Sequence, residues 1–280
     1  MTKVKLVDCP RDAIQGLHDF IPTERKATYM NAVLQSNIFD RLDFGSFVSP
    51  KAIPQMADTA QLIKLLNLKD VDTQLLAIVA NQRGAAEASA FEEISVLGYP
   101  FSISEEFQKR NTNKNLEESF EAVKQILDIA QKNNKTLLVY ISMAFGNPYG
   151  EHWDSEKVTH WIDQLQKIGV SEFSLADTVG TADATQIKSV FEATSEAFPD
   201  MNIGAHFHAA PFEWQPKIKA AYEAGCRSFD GAMQGFGGCP MAKDELVGNV
   251  PTEGLLEYFD LANNEMITNF TTQFNKLING

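Results

Sequence analysis

The feature that most constrains this chain is a regular alternation of short β-rich runs with longer amphipathic stretches, from its first residues to its last. Strands that alternate with helices form parallel sheets, as closed barrels or as doubly wound open sheets. The predicted strands are Val4–Cys9, Phe39–Phe47, Leu75–Ala80, Ile94–Tyr99, Thr136–Met143, Glu172–Asp177, Asn202–His208 and Arg227–Met233. Helical patterns cover about Pro22–Asn37, Pro54–Leu66, Gly84–Glu93, Leu116–Asn133, Ser155–Lys167, Asp183–Phe198 and Trp214–Ala224, and the remaining C-terminal segment is helix-compatible.

Eight such units predict an α/β protein with a single (β/α)8 TIM barrel over residues 1–280, with its active site at the C-terminal ends of the strands. The doubly wound sheet is the main structural alternative. No glycine-rich GxGxxG or GxxxxGK[ST] motif follows a predicted strand, which weakens the nucleotide-binding form of that alternative.

The composition limits the binding partners and the cellular compartment that we expect for this protein. A formal net charge of -13 and a pI near 4.8 disfavour nucleic-acid binding, and any site for a polyanion must be locally positive. Three cysteines without a CxxC spacing argue against a disulfide framework. No apolar run resembles a signal peptide or a membrane span. We therefore expect a cytoplasmic protein with no membrane partner.

Polar side chains gather at the ends of the first, seventh and eighth predicted strands. His206 and His208 are two residues apart, so on a strand both imidazoles face the same side. Asp12 could add a carboxylate and Asn249 an amide oxygen, and such a mixed set suits Mg²⁺ or Mn²⁺ better than structural zinc. The alternative is a pair of packed histidines without a metal. Their position at a strand end favours the metal site.

Three further residues have both a functional and a structural interpretation. Arg11, beside Asp12, is either a solvated loop charge or part of the site. Asp177 is either a site carboxylate or a helix N-cap. Cys239 lies among glycines and a proline, and it is either a packed apolar residue or a proton donor on a mobile loop. From the residues alone, the chain is a metal-assisted carbonyl or hydroxy-acid enzyme.

Several short motifs occur in a fixed order along the chain. They are Pro10-Arg11-Asp12 with Gln15, Ser46–Lys51 with Pro54-Gln55-Met56, Asn81–Gly84, Asp177–Gly180, His206-Phe207-His208 and Gly237–Pro240. This series resembles the 3-hydroxy-3-methylglutaryl-CoA lyases of the DRE-TIM metallolyase superfamily, from the first strand to about Glu257. Ser-Phe-Val-Ser-Pro-Lys and Gly-Gly-Cys-Pro are close to diagnostic of that family.

The resemblance implies a role for each site residue. It implies a Mg²⁺ or Mn²⁺ site formed by Asp12, His206, His208 and Asn249, with His206 also taking part in catalysis. Arg11 would stabilise the enolate oxygen of the departing acetyl-CoA, and Cys239 would transfer a proton from a flexible loop. Asp43 replaces the usual glutamate, near Arg41 and the site, and Asp177 would order or deprotonate the substrate hydroxyl.

The implied reaction is cleavage of 3-hydroxy-3-methylglutaryl-CoA to acetyl-CoA and acetoacetate, in leucine breakdown, by a homodimer with an acyl-CoA substrate. Phosphate contacts could come from Lys51, Arg83, Lys109 and Arg110. The sequence departs from the family pattern at Leu138, Asn147, Ala209-Ala210-Pro211 and the segment from Pro240 to Gly248, and none of these changes removes a proposed metal ligand. The alternatives are a Claisen-type synthase, an aldolase that does not use CoA, and a catalytically inactive binding barrel.

Overall fold

A computed structural model describes residues 3–237 and 247–280 of the chain. Its strands form one closed barrel of parallel strands in sequential order, in which the first strand pairs with the last. The strands are β1 (Lys5–Asp8), β2 (Arg41–Ser46), β3 (Gln74–Ile78), β4 (Ile94–Ser102), β5 (Thr136–Ser142), β6 (Glu172–Asp177), β7 (Ile203–Phe207) and β8 (Ser228–Gly231). The predicted (β/α)8 barrel is confirmed, and the open sheet is excluded.

Helices follow the strands around the barrel. Within the described residues they are α1 (Pro10–Ile14), α2 (Thr23–Leu34), α3 (Thr59–Leu62), α4 (Gln82–Ser89), α5 (Glu105–Thr112), α6 (Leu116–Lys132), α7 (Ser155–Lys167), α8 (Ala184–Ala197), α9 (Trp214–Glu223), α10 (Thr252–Tyr258) and α11 (Asn264–Asn279). Across these ranges, no helix combines the length and the apolar character that a bilayer span requires.

The helix predicted over Pro54–Leu66 is wrong as a continuous element. The segment is a 3-10 turn at Pro54–Met56, then α3, then a second 3-10 turn at Ile63–Leu65. Asp58 lies at the first break, where its carboxylate accepts a hydrogen bond of 2.8 Å from the buried ammonium of Lys26. An uncompensated buried charge is expensive, and we infer that this pair takes precedence over a regular helix.

Two apolar layers hold the barrel. The larger packs the outer faces of the strands against the helices. A smaller cluster of alternate residues from three adjacent strands fills part of the lumen: Leu76 and Ile78 of β3, Val96 of β4, and Leu138 and Tyr140 of β5. The lumen residues from the other strands are largely polar, and this polar sector contains the residues that form the site.

Candidate metal centre and active site

The structure brings three of the proposed metal ligands together at the C-terminal end of the barrel. Asp12 lies in α1, directly after β1; His206 is in β7, and His208 follows that strand. One ligand atom from each lies within 4.8 Å of the other two, and all three residues are buried. The Arg11-Asp12 pair therefore lies on a short buried helix and not in a solvated loop.

The Asp12 carboxylate is held from several directions. Its Oδ1 accepts hydrogen bonds from Arg11 Nη1 at 2.8 Å and from Gln15 Nε2 at 2.7 Å, and its Oδ2 accepts one from Asn249 Nδ2 at 2.6 Å. Burial alone would raise the pKa of Asp12, but Arg11 and the two histidines lower it to about 2. The group is therefore an anion at neutral pH, as metal binding requires.

The two imidazoles differ in what holds them. His206 Nδ1 lies 3.0 Å from Asp230 Oδ2. A ligating histidine commonly gives its other ring N–H to a carboxylate in this way, which leaves Nε2 for the ion. His208 Nδ1 is buried and has no hydrogen-bond partner among the residues that the structure describes. Burial and the neighbouring His206 lower the pKa of His208 to about 4, so its imidazole is neutral.

These observations fit a divalent metal. A buried nitrogen without a partner is rare in proteins, since its desolvation is then uncompensated. Here that nitrogen belongs to a residue whose ring lies beside a second imidazole and an anionic carboxylate. Two nitrogens and carboxylate oxygen suit a catalytic divalent ion with open positions. The donor set thus forms a possible metal-binding site.

Asn249 reaches the site through backbone pairing. His208 and Asn249 form an isolated antiparallel bridge, and Ala209 N donates to Gly248 O at 2.8 Å. The Asn249 amide nitrogen donates to Asp12 Oδ2 and to Phe236 O, so a metal would be bound through the amide oxygen. As placed, Asn249 positions the Asp12 carboxylate.

Gly237, the first residue of the Gly-Gly-Cys-Pro motif, packs directly against this pair. Its φ is +108°, and a Cβ on it would lie 2.4 Å from Asn249 Nδ2 and 2.8 Å from Asp12 O. Only glycine fits this backbone conformation without strain. Cys239, in the same motif, lies outside the described residues.

Arg11 is bound by two carboxylates. Its Nε and Nη2 donate to the Asp43 carboxylate, the shortest contact being 2.5 Å, while Nη1 donates to Asp12. Burial alone would lower the pKa of Arg11, but Asp43 and Asp12 raise it above its ordinary value. Burial raises the pKa of Asp43 to about 6 against the effect of Arg11. Asp43 thus fixes the guanidinium in one plane beside the Asp12–His206–His208 cluster.

Asp177 ends β6 behind His208. Its Oδ2 accepts hydrogen bonds from Lys217 Nζ at 2.7 Å and from Ala182 N at 3.2 Å, and the backbone N–H of Thr181 also donates to the carboxylate. Burial raises the pKa of Asp177, and Lys217 opposes that effect. The carboxylate is buried and does not belong to the Asp12–His206–His208 cluster.

Asp43 lies beside Arg11, whereas Arg41 does not accompany it to the site, and no sequence motif marks two further residues of the surroundings. Arg41 is not near the site: it lies at the amino end of β2, where it forms an ion pair of 2.6 Å with Glu172 at the amino end of β6. Asp230 and Lys217, which hold His206 and Asp177, had no motif to mark them. A carboxylate placed inward on β8 was the one available signal for Asp230.

The comparisons with known proteins agree with this geometry. The sequence model of the HMGL-like family matches residues 3–277. The chain is 35% identical to the hydroxymethylglutaryl-CoA lyase YngG of Bacillus subtilis, over 91% of this chain and 85% of that protein. It is 32% identical to the 3-hydroxy-3-isohexenylglutaryl-CoA/hydroxy-methylglutaryl-CoA lyase of Pseudomonas aeruginosa, over 91% and 84%. A solved HMG-CoA lyase of Acinetobacter baumannii, in complex with coenzyme A and 3-methylmalate, superposes with a TM-score of 0.89 at 26% identity, over 98% of this chain and 91% of that one.

Proposed function

The chain belongs to the HMGL-like family, and from that premise we propose that it is a hydroxymethylglutaryl-CoA lyase, a metal-dependent carbon–carbon lyase. It would cleave (S)-3-hydroxy-3-methylglutaryl-CoA to acetyl-CoA and acetoacetate. The observation that carries the proposal is the buried Asp12–His206–His208 cluster with the Arg11 guanidinium beside it. This cleavage needs a metal that binds the hydroxyl and carboxylate of the substrate, and it needs a cation that stabilises the enolate product.

The metal would be held by Asp12, His206, His208 and the amide oxygen of Asn249. A divalent ion in such a site supplies Lewis-acid chemistry, which lowers the pKa of a hydroxyl group and stabilises negative charge on oxygen. Gln15 and Arg11 keep the Asp12 carboxylate in place, and Asp230 fixes the orientation of the His206 ring. The side chains of this chain thus prepare the site before substrate arrives.

The proton of the substrate 3-hydroxyl needs an acceptor, and we assign this role to the Asp177 carboxylate. Burial raises the pKa of this carboxyl, and a higher pKa makes a carboxylate a better base. Lys217 occupies one of its oxygens, so the other, Oδ1, would receive the proton.

Bond cleavage moves an electron pair onto the thioester of the acetyl fragment. The Arg11 guanidinium would stabilise the enolate oxygen, and its pairing with Asp43 sets its plane in advance, so little reorganisation is needed. Asp43 acts through Arg11. Cys239 would then protonate the acetyl carbon, a role that rests on the motif Gly237–Pro240.

The acyl-CoA would approach over the C-terminal end of the barrel. Four cations follow β2, β3 or β4 in the chain and so belong to this end of the molecule: Lys51, Arg83, Lys109 and Arg110. They are the cations we propose for the phosphates of CoA, although Arg83 and Arg110 already pair with glutamates on their own helices. We further propose a cytoplasmic homodimer that has no nucleic-acid or membrane partner.

The test is direct. Purified protein is incubated with 3-hydroxy-3-methylglutaryl-CoA and Mg²⁺ or Mn²⁺, with and without chelator, and acetoacetate is measured. Chelator-sensitive acetoacetate is the expected result. Binding of Mn²⁺ without acetoacetate would reject this substrate, and a longer 3-hydroxy-3-substituted glutaryl-CoA would be tested next. Equal turnover in the presence of chelator would reject the metal.

A further inference from the structure

His206 belongs to a second cluster of potential ligands on the other side of its ring. Cys9 follows β1 and Asp230 is in β8; one ligand atom from each and one from His206 lie within 4.8 Å of one another. All three residues are buried. His206 Nδ1 faces Asp230. This cluster therefore lies on the Nδ1 side of the imidazole, whereas Nε2 is the nitrogen left for a metal at Asp12 and His208. The proposed lyase chemistry uses no group of Cys9.

A fourth polar group borders the same space. The Tyr140 hydroxyl is buried and has no hydrogen-bond partner among the described residues. Its ring packs edge-on against His206, with 5.4 Å between the centroids. Burial and the nearby Asp230 and Cys9 raise the pKa of this hydroxyl well above its ordinary value. Because buried hydroxyls nearly always have partners, this one indicates room for an additional ligand.

The cluster can be approached from the amino-terminal mouth of the barrel. A cavity of about 940 Å³ opens there and includes Asp230 among its lining residues. The small residues Ser174, Gly204 and Ser228, from three adjacent strands, line the same cavity. An ion therefore has a path to Asp230 that does not pass the Asp12 site.

The donor types favour a soft cation. Thiolate, imidazole and carboxylate are the usual ligands of Zn²⁺, whereas Mg²⁺ and Mn²⁺ favour oxygen. In a tetrahedral zinc site the ligand atoms are about 3.3–3.8 Å apart, so side-chain shifts of about 1 Å would complete this one. The charges of Asp230, Asp43 and Asp12 all act on Cys9, and Arg11 is the cation that opposes them. This excess of carboxylates attracts a positive ion.

We propose that Cys9, His206 Nδ1 and Asp230 form an inhibitory site for a soft divalent ion, Zn²⁺ or Cd²⁺, which competes with the metal at Asp12 and His208 for His206. On binding, the Cys9 thiol releases its proton to solvent, and the sulfur electron pair forms the bond to the ion. As Nδ1 of His206 binds the ion, its proton passes to Nε2, the nitrogen that the metal at Asp12 and His208 would use. The two sites are therefore mutually exclusive.

The first test uses cadmium and needs no substrate. Cys239→Ser protein, which keeps Cys9 and Cys226 as its thiols, is titrated with Cd²⁺ while the ultraviolet cadmium–thiolate band is recorded. We expect one band in this protein, and we expect no band when its sequence also carries Cys9→Ser or Cys9→Ala. Cys226→Ser is the matched control, since this thiol is also buried and hydrogen-bonds to the Ile203 and Ser228 carbonyls. A band that survives both Cys9 changes would overturn the proposal.

The second test separates the two sites functionally. Bound Mn²⁺, followed by its magnetic resonance signal, should be released by Zn²⁺, and Cys9→Ser should raise the Zn²⁺ concentration needed at least tenfold. Unchanged release would mean that Zn²⁺ simply replaces Mn²⁺ at Asp12, His206 and His208, and would reject the second site. Both measurements are independent of turnover, so an absent lyase activity would reject the proposed function and leave this inference standing.

Discussion

Lys217 Nζ lies 2.7 Å from Asp177 Oδ2, and the same ammonium donates to the carbonyls of Gly180 at 2.7 Å and His208 at 3.0 Å. One buried cation from α9 thereby joins the end of β6, the loop after it and the backbone of a proposed metal ligand. The pair holds the C-terminal ends of two strands in register beside the site.

Lys217→Met should destabilise the protein strongly, because it leaves the Asp177 carboxylate buried without its ion partner. Breaking such a pair costs about 3–5 kcal/mol. Adding Asp177→Asn should recover most of that loss, since the neutral amide needs no counter-ion. Urea unfolding measures both. The control is Lys219→Met on the same helix, whose exposed ammonium lies 3.8 Å from Glu223 and should contribute little.

The double variant also tests the proton acceptor. If Asp177 Oδ1 accepts the substrate proton, Lys217→Met with Asp177→Asn should fold yet lose about 10²- to 10⁴-fold in kcat. Metal binding should persist. A stable double variant that turns over like wild type would make Asp177 a structural residue and move the base elsewhere.

Removing a ligand of the Asp12–His206–His208 cluster should abolish Mn²⁺ binding. Asp12→Ala and His206→Ala each delete one of the three donors that approach within 4.8 Å. Titration of the Mn²⁺ magnetic resonance signal gives the dissociation constant without any substrate. His18→Ala, at an exposed histidine, should bind Mn²⁺ like wild type. Tight Mn²⁺ binding by the Asp12 and His206 variants would remove the metal from this position.

Arg11→Met should lower kcat by about 10²- to 10³-fold while Mn²⁺ still binds, since a positioned donor to a developing oxyanion contributes about that much. Arg11→Lys should not restore the rate, because an ammonium cannot reproduce the two-point contact with Asp43. Steady-state kinetics with matched Mn²⁺ occupancy measure both variants. A kcat near that of wild type for Arg11→Met would assign enolate stabilisation to another group.

The sequence predicts the barrel, and the meeting of Asp12 with His206 and His208, because both follow from patterns along the strands. The strand predicted at Glu172–Asp177 and the helix at Ser155–Lys167 have the observed bounds, and His206 and His208 meet Asp12 as expected. A period of two within a strand, and the rule that site residues follow strands, are sufficient for these.

What the sequence does not predict depends on tertiary contacts. Lys217 and Asp177 are 40 residues apart, and His206 and Asp230 are 24 apart, so no periodicity links them. The sequence resemblance places Asp43 near both Arg41 and the site. A strand, however, carries those residues toward opposite ends of the barrel, where Arg41 meets Glu172. Ion pairs between distant strands of a barrel can be identified only from the three-dimensional structure.

Gly237→Ala should weaken metal binding, because its new methyl group would overlap Asn249 Nδ2 and the Asp12 carbonyl. We expect at least a tenfold increase in the Mn²⁺ dissociation constant. Gly146→Ala is the matched control: its φ of +120° imposes a similar backbone strain, but no atom lies within 4 Å of the added Cβ. If both variants lose affinity equally, backbone strain and not contact with the ligand would be the cause.

Asp8 should make the folding stability depend on pH. It is fully buried, Thr252 Oγ1 and Tyr29 Oη donate to it at 2.7 and 2.8 Å, and the carboxylates of Glu253 and Asp43 face it. Burial raises its pKa from 3.8 to about 6, against the two hydrogen bonds. The folded state therefore binds this proton more tightly than the unfolded state does. The resulting stabilisation is complete below about pH 4 and is lost as the pH rises through 6.

Each unit of difference between the folded and unfolded pKa of Asp8 corresponds to about 1.4 kcal/mol, so the unfolding free energy falls by about 3 kcal/mol over the whole range. About half of this loss occurs between pH 5 and pH 7. Asp8→Asn imitates the protonated carboxyl, and both hydroxyl partners can rotate to suit an amide. Between pH 5 and pH 7, wild type should therefore lose about 1.4 kcal/mol more unfolding free energy than Asp8→Asn does. Urea unfolding at the two pH values measures this difference. Parallel pH dependence in the two proteins would mean that Asp8 titrates normally and that water reaches its carboxylate.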